Sequence, residues 1–212
     1  MSLSVIIPAK SLHMGKSRLS TLLSAEERYS LNKYLLRRTL RVARQLVSQE
    51  NLIVVSGCKE TLEFAGESAT PLEEKVHGLN PALEQVSDYA RSRGASRLLI
   101  LPTDLPFMDI EDLHSLINEC GVVLVPDRPQ KGTNVLFLNM SGKFNYQFGE
   151  DSLRLHMQES NRLGLKPSLI QNENLAFDLD TPADYQLFSK PLTFLHAEGE
   201  VCKSLGPSPH EG

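Results

Sequence analysis

Three cations fall within nine residues near the N-terminus: Lys10, Lys16 and Arg18. They follow the short apolar run Val5-Ile6-Ile7, with Gly15 and Ser17 among them. A triphosphate carries charge that must be offset before a nucleophilic oxygen can approach, and clustered Lys and Arg suit that task. Gly15-Lys16-Ser17 invites comparison with a P-loop, but that motif needs a glycine five positions before the Gly-Lys pair, where Lys10 stands. The same three residues also read as a solvated basic loop, whose exposed cations contribute little to folding.

A second set is acidic. Asp104 closes the apolar segment ending at Leu101-Pro102-Thr103, and Asp178-Leu179-Asp180 follows Leu175-Ala176-Phe177. In an extended segment, residues i and i+2 point to one side. Asp178 and Asp180 would then form, with Asp104 from a neighbouring strand end, a hard-oxygen site of the kind Mg2+ shares with phosphates. The alternative is that each Asp is a turn or cap residue. Asp109 and Asp184 fit that alternative, at N-cap and N3 positions. A third set is Gly132-Thr133-Asn134 with Phe148-Gly149-Glu150-Asp151-Ser152. Glycine beside hydroxyl groups at a helix start can offer N–H groups to an anion, and it also reads as plain turn and capping chemistry. His156 follows on the same helix and reads as a surface or packing residue.

The elements that must carry these groups alternate. Apolar runs at Val5–Ile7, Leu52–Val55, Arg97–Leu101, Val122–Val125, Val135–Leu138 and Ser168–Ile170 read as strands. Ser24 with Glu27 forms a capping box opening a long helix, Asn80-Pro81 reads as an N-cap followed by an N1 proline, and Asp109 caps a third helix. A fourth helix is expected over about 150–163, and Thr181-Pro182 opens the last. Strands alternating with helices predict an α/β fold, with an open, mostly parallel mixed sheet and helices on both faces. Ligands in such folds bind at the carboxyl ends of the strands, where Lys10, Asp104 and Asp127 fall.

The whole chain sets limits. Its 212 residues suit one domain, read here as 1–190, with a loosely ordered tail over 191–212. A net charge of −4 argues against nucleic acid or an anionic membrane as partner. Three dispersed cysteines suggest neither a disulfide framework nor a zinc cluster and fit a reducing, cytoplasmic setting. No apolar run reaches the roughly 18 residues of a membrane span.

Taken together, the motifs resemble the phospholactate guanylyltransferase (CofC) family of coenzyme F420 biosynthesis, within the GT-A-like nucleotidyltransferases. The matching stretches are Ile7-Pro8-Ala9-Lys10, Lys16-Ser17-Arg18-Leu19-Ser20, Gly78-Leu79-Asn80, Leu101-Pro102-Thr103-Asp104-Leu105-Pro106, Gly132-Thr133-Asn134, Phe148-Gly149 with Ser152, and Asp178-Leu179-Asp180-Thr181-Pro182. The resemblance implies GMP transfer from GTP to 2-phospho-L-lactate, phosphoenolpyruvate or 3-phospho-D-glycerate. It also implies Asp104, Asp178 and Asp180 as Mg2+ ligands, Lys16 and Arg18 on the triphosphate with Lys10 nearby, and Gly78 and Asn80 near the nucleoside. Thr133, Gly149 and Ser152 would hold the acceptor. The charged stretch Asp127-Arg128-Pro129-Gln130-Lys131 departs from the family's usually smaller loop. A homodimer is compatible with this reading. The rivals are a molybdenum-cofactor or sugar-phosphate nucleotidyltransferase, for which a more Gly-rich first loop is expected, and a catalytically silent nucleotide-binding protein.

Overall fold

A computed structural model describes residues 2–189; the expected tail over 191–212 lies outside them. Seven strands form one sheet in the order β3-β2-β1-β4-β6-β5-β7. They are β1 Ser2–Pro8, β2 Leu52–Ser56, β3 Thr70–Glu73, β4 Ala95–Ile100, β5 Gly121–Pro126, β6 Thr133–Asn139 and β7 Ser168–Leu169. β6 runs antiparallel to both β4 and β5, while every other pairing is parallel. β6 alone therefore opposes the sheet, and its first residue, Thr133, lies at the edge where the other strands end.

The helices are α1 Ala25–Ala43, α2 Lys59–Gly66, α3 Leu79–Ser92, α4 Ile110–Ile117, α5 Ser152–Arg162, α6 Glu173–Ala176 and α7 Pro182–Ser189. Strand alternation divides the core. Val5 and Ile7 of β1 pack with Leu36 and Leu40 of α1 and Leu113 and Leu116 of α4. Ile6 faces the opposite side, with Leu83 and Val86 of α3 and Leu153 of α5. Helices thus cover both faces, as the alternating pattern requires.

The capping boxes of α1 (Ser24 with Glu27) and α4 (Asp109 with Asp112) both form. Asp184 takes its expected N3 role, accepting from the Thr181 backbone and hydroxyl. The start of α3 departs from expectation. Gly78, at φ 121°, is the N-cap, and Asn80 lies inside the first turn. The Asn80 amide is engaged elsewhere, donating to the Phe148 carbonyl at 3.1 Å and accepting from its N–H at 2.8 Å. Helix α2 and strand β3 carry no strong sequence signal, since Thr70-Pro71-Leu72-Glu73 is short, half-exposed and contains a proline tolerated only at an edge. Leu175 and Ala176 close the short helix α6, capped by Asn172, and Phe177 leaves it in extended conformation. No described helix is long and apolar enough to cross a membrane.

Candidate active site

Chain direction reverses its crossing between β1 and β4: β2 and β3 lie to one side of β1 and β4 lies to the other. That is the switch point where an open α/β sheet leaves a crevice. A cavity of about 780 Å³ opens there, within the range of small-molecule sites. Lys10, Lys16, Arg18, Gly78, Asp104 and Asp180 line it, whereas Asp178, expected beside the other two aspartates, is not part of its wall.

Buried apolar residues anchor two of the segments that carry these charges. Leu19, fully buried, anchors the turn Ser17–Leu19 that carries Arg18 and follows Lys16. Phe177 and Leu179 are buried in the same small cluster with Leu31 and Leu35 of α1. They alternate with Asp178 and Asp180, so both carboxylates lie opposite the core. The Leu179 N–H donates to the Asp104 carbonyl at 2.9 Å, bringing this segment alongside the end of β4. Arg128, in the charged loop, pairs with Asp184 and stacks over the Phe177 ring, which ties that loop to the aspartate segment.

Lys16 is not a free loop cation. Its side chain is only 8% exposed, and Nζ lies 3.0 Å from Asp104 Oδ2 and 2.8 Å from Asp180 Oδ1. Burial works against its charge, but the two carboxylates outweigh that and raise its pKa. Arg18 stays exposed and reaches Asp180 at 3.6 Å. Asp178 is half-buried; desolvation, and then the charges of Asp104, Asp180 and Asp184, raise its pKa. Among the described residues no three metal-ligating side chains form a ready-made cluster, and the Lys16 ammonium bridges Asp104 and Asp180. The donors still suit a hard cation: neighbouring carboxylates, one of them, Asp178, desolvated and with no Lys or Arg ion pair among the described residues.

The residues expected to hold an acceptor gather beside this cavity rather than lining it. The Thr133 N–H donates to Ser152 Oγ at 2.9 Å, and the Ser152 N–H donates to the Gly149 carbonyl. Gly149 sits at φ 133° with open space around the position of a Cβ, so backbone conformation rather than crowding demands glycine there. Glu150 and Asp151 are exposed, and Asp151 reaches Arg154 at 3.7 Å. Asn80 links this group to the start of α3 through Phe148 and is not itself a cavity wall.

Two residues emerge that the motifs did not single out. Glu74, just after β3, lines the cavity and accepts from the Gly78 N–H at 2.6 Å. Its glycine partner was the only hint in the sequence. His156 is fully buried, not a surface side chain. Nε2 accepts from the Gln147 N–H, and Nδ1 lies 3.0 Å from Thr133 Oγ1.

Comparison with known proteins agrees with this arrangement. Residues 3–204 match the family model described as guanylyl transferase CofC like. A phosphoenolpyruvate guanylyltransferase of Chloroflexus aurantiacus is 35% identical over 184 residues, 84% of this chain and 90% of the relative. A 2-phospho-L-lactate guanylyltransferase of Methanocaldococcus vulcanius is 31% identical, covering 95% of this chain and 90% of the relative. In fold, the chain resembles a Desulfovibrio desulfuricans protein described as a nucleotide-diphospho-sugar transferase, at TM-score 0.78 and 14% identity over 96% of this chain and 94% of that one. The switch-point crevice, its paired Lys and Asp groups and these long alignments agree: the chain belongs to the CofC-like guanylyl transferase family.

Proposed function

We propose that the protein transfers GMP from GTP to a phosphorylated three-carbon acid in the biosynthesis of coenzyme F420, releasing pyrophosphate. The observation that carries this is the Lys16–Asp104–Asp180 cluster at the switch point, with Glu74 also lining the same cavity. The triphosphate belongs at the cationic group formed by Lys10, Lys16 and Arg18. A carboxylate repels phosphates, so Glu74 suits the base end instead. Guanine presents two adjacent donors, N1–H and the 2-amino group, which one carboxylate can accept; adenine and cytosine place a lone pair where the second donor would be.

In the reaction, a phosphate oxygen of the acceptor attacks the α-phosphorus of GTP. The new P–O bond forms as the bond to the α,β-bridging oxygen breaks, and pyrophosphate leaves with that electron pair. The acceptor phosphate is already ionised near neutral pH, so the protein supplies position and charge rather than a nucleophile or strong base. Lys16 and Arg18 neutralise the charge that builds on the departing pyrophosphate. Asp104, Asp178 and Asp180 are the residues that would hold Mg2+, which would offset triphosphate charge. Thr133, Gly149 and Ser152 hold the acceptor, beside the cavity and joined to its wall through Asn80. The unpaired thiols of Cys58 and Cys120 support a reducing, cytoplasmic setting.

The test is pyrophosphate release with a panel of nucleotides and acids. GTP with at least one of phosphoenolpyruvate, 2-phospho-L-lactate and 3-phospho-D-glycerate should turn over at least tenfold faster than ATP, CTP or UTP, a gap of about 1.4 kcal/mol. Equal rates with ATP would remove the guanylyl assignment, and silence with all three acids would remove the acceptor class.

A further inference from the structure

The hydrogen bonds around His156 have only one consistent direction. The Gln147 backbone N–H can only donate, and it points at Nε2 from 3.0 Å. Nε2 must therefore present a lone pair, and the neutral imidazole carries its hydrogen on Nδ1. Burial favours that neutral form and pushes the pKa down to about 4, against the opposing charge of Glu159. Phe144 and Phe148 wall the ring at 5.7 and 4.7 Å between centroids, so its orientation is fixed.

It follows that Thr133 Oγ1, 3.0 Å from Nδ1, is the acceptor of that bond. Its own hydroxyl hydrogen then has no acceptor among the described residues. Ser152 is in the same condition: Oγ accepts from the Thr133 N–H, and the hydroxyl hydrogen is unspent. Thr133 is 7% exposed and Ser152 2%. A buried O–H with no acceptor is costly, and these two hydroxyls side by side present two uncommitted donors. The backbone N–H groups of Gly149, Glu150 and Asp151, just before α5, also lack partners among the described residues. Such a group of free donors fits an oxyanion, a carboxylate or phosphate oxygen.

We infer that His156 is a positioning residue for the acceptor: by donating from Nδ1 to Thr133 Oγ1, it commits the Thr133 hydroxyl hydrogen to an anionic oxygen of the phospho-acid. The inference rests on the reading that Thr133, Gly149 and Ser152 hold the acceptor.

Two measurements test it. Long-range 1H–15N NMR of the 15N-histidine-labelled full chain at pH 7.5 should show the Nδ1–H tautomer for the resonance lost in His156→Asn; the Nε2–H tautomer overturns the inference. Kinetics then use whichever of phosphoenolpyruvate and 2-phospho-L-lactate turns over faster. Asn places an amide nitrogen near the Nδ1 position, whereas Gln places its amide near Nε2. His156→Asn should keep the acceptor KM within about threefold of the parent, and His156→Gln should raise it at least tenfold, with the KM for GTP unchanged in both. Equal increases in both variants, following their loss of thermal stability, would mean a structural role only and overturn the inference. Thr133→Val separates the two claims. If it raises the acceptor KM while His156→Gln does not, only the role of His156 fails. If neither changes the acceptor KM, the acceptor site itself lies elsewhere.

Discussion

At the scale of single residues, Lys16 and its two aspartates matter most. Lys16 contacts carboxylates 88 and 164 positions away, both within 3.0 Å. Lys16→Met should lower kcat/KM for GTP at least tenfold, since a charge-assisted phosphate contact is worth about 1.5–3 kcal/mol. It should also lower thermal stability, because it leaves Asp104 and Asp180 without their shared cation. Arg18→Ala, which removes an exposed side chain, should reduce activity without a measurable fall in Tm. If Lys16→Met left both Tm and kinetics unchanged, the cluster would be neither structural nor functional. His156 gives a pH-dependent counterpart. Folded, it stays neutral to about pH 4; unfolded, it takes a proton near its ordinary 6.5. The unfolded chain therefore binds more protons as pH falls through that window, and stability is lost between about 6.5 and 4, by up to roughly 3 kcal/mol. Urea unfolding at pH 7 and 4.5 should show a larger loss for the parent than for His156→Asn; equal losses would mean His156 titrates normally. In the sequence, the types of these residues were legible and their partners were not. Lys16 read as an exposed loop cation because nothing local reveals a contact closed over 164 positions, and His156 read as a surface or packing residue because its partners lie on a loop and on strand β6.

At the scale of elements, what is set by neighbours in sequence was readable. The capping box of α1, the N-cap of α4 by Asp109, the N3 role of Asp184 and the central strands all follow from local spacing and apolar runs. What depends on tertiary partners was not. Strand β3 is an edge strand whose sequence is half polar, and its pairing with β2 supplies what its composition lacks. Asn80 has the chemistry of an N-cap, but its amide clamps Phe148 instead, leaving Gly78 to begin α3. This clamp joins the helix that borders the nucleotide cavity to the loop that carries Gly149. Asn80→Ala should therefore cost about 1–3 kcal/mol of stability, as two partly buried hydrogen bonds are lost. It should also raise KM for both GTP and the phospho-acid, because both sites lean on the same clamp. An increase confined to GTP would show that the loop is held by other contacts.

At the scale of the whole molecule, one topological feature gathers the site. The parallel strands β1 and β4 deliver the cation loop and Asp104 to the carboxyl edge, and the reversed strand β6 delivers Thr133 to that same edge. The alternation of elements discloses an open α/β sheet with helices on both faces; the reversed strand β6 depends on pairings that no single strand encodes. Residues from loops far apart in sequence thereby gather in and beside one crevice, where the proposed function has a phospho-acid attack the α-phosphorus of GTP. The most direct test is 31P NMR of GTP and the preferred phospho-acid incubated with the protein and Mg2+. A new pair of coupled diphosphate resonances, from GMP joined to the acid through its phosphate, should grow in step with free pyrophosphate. Formation of GDP and inorganic phosphate alone, with no joined product, would mean attack at the γ-phosphorus and would contradict it.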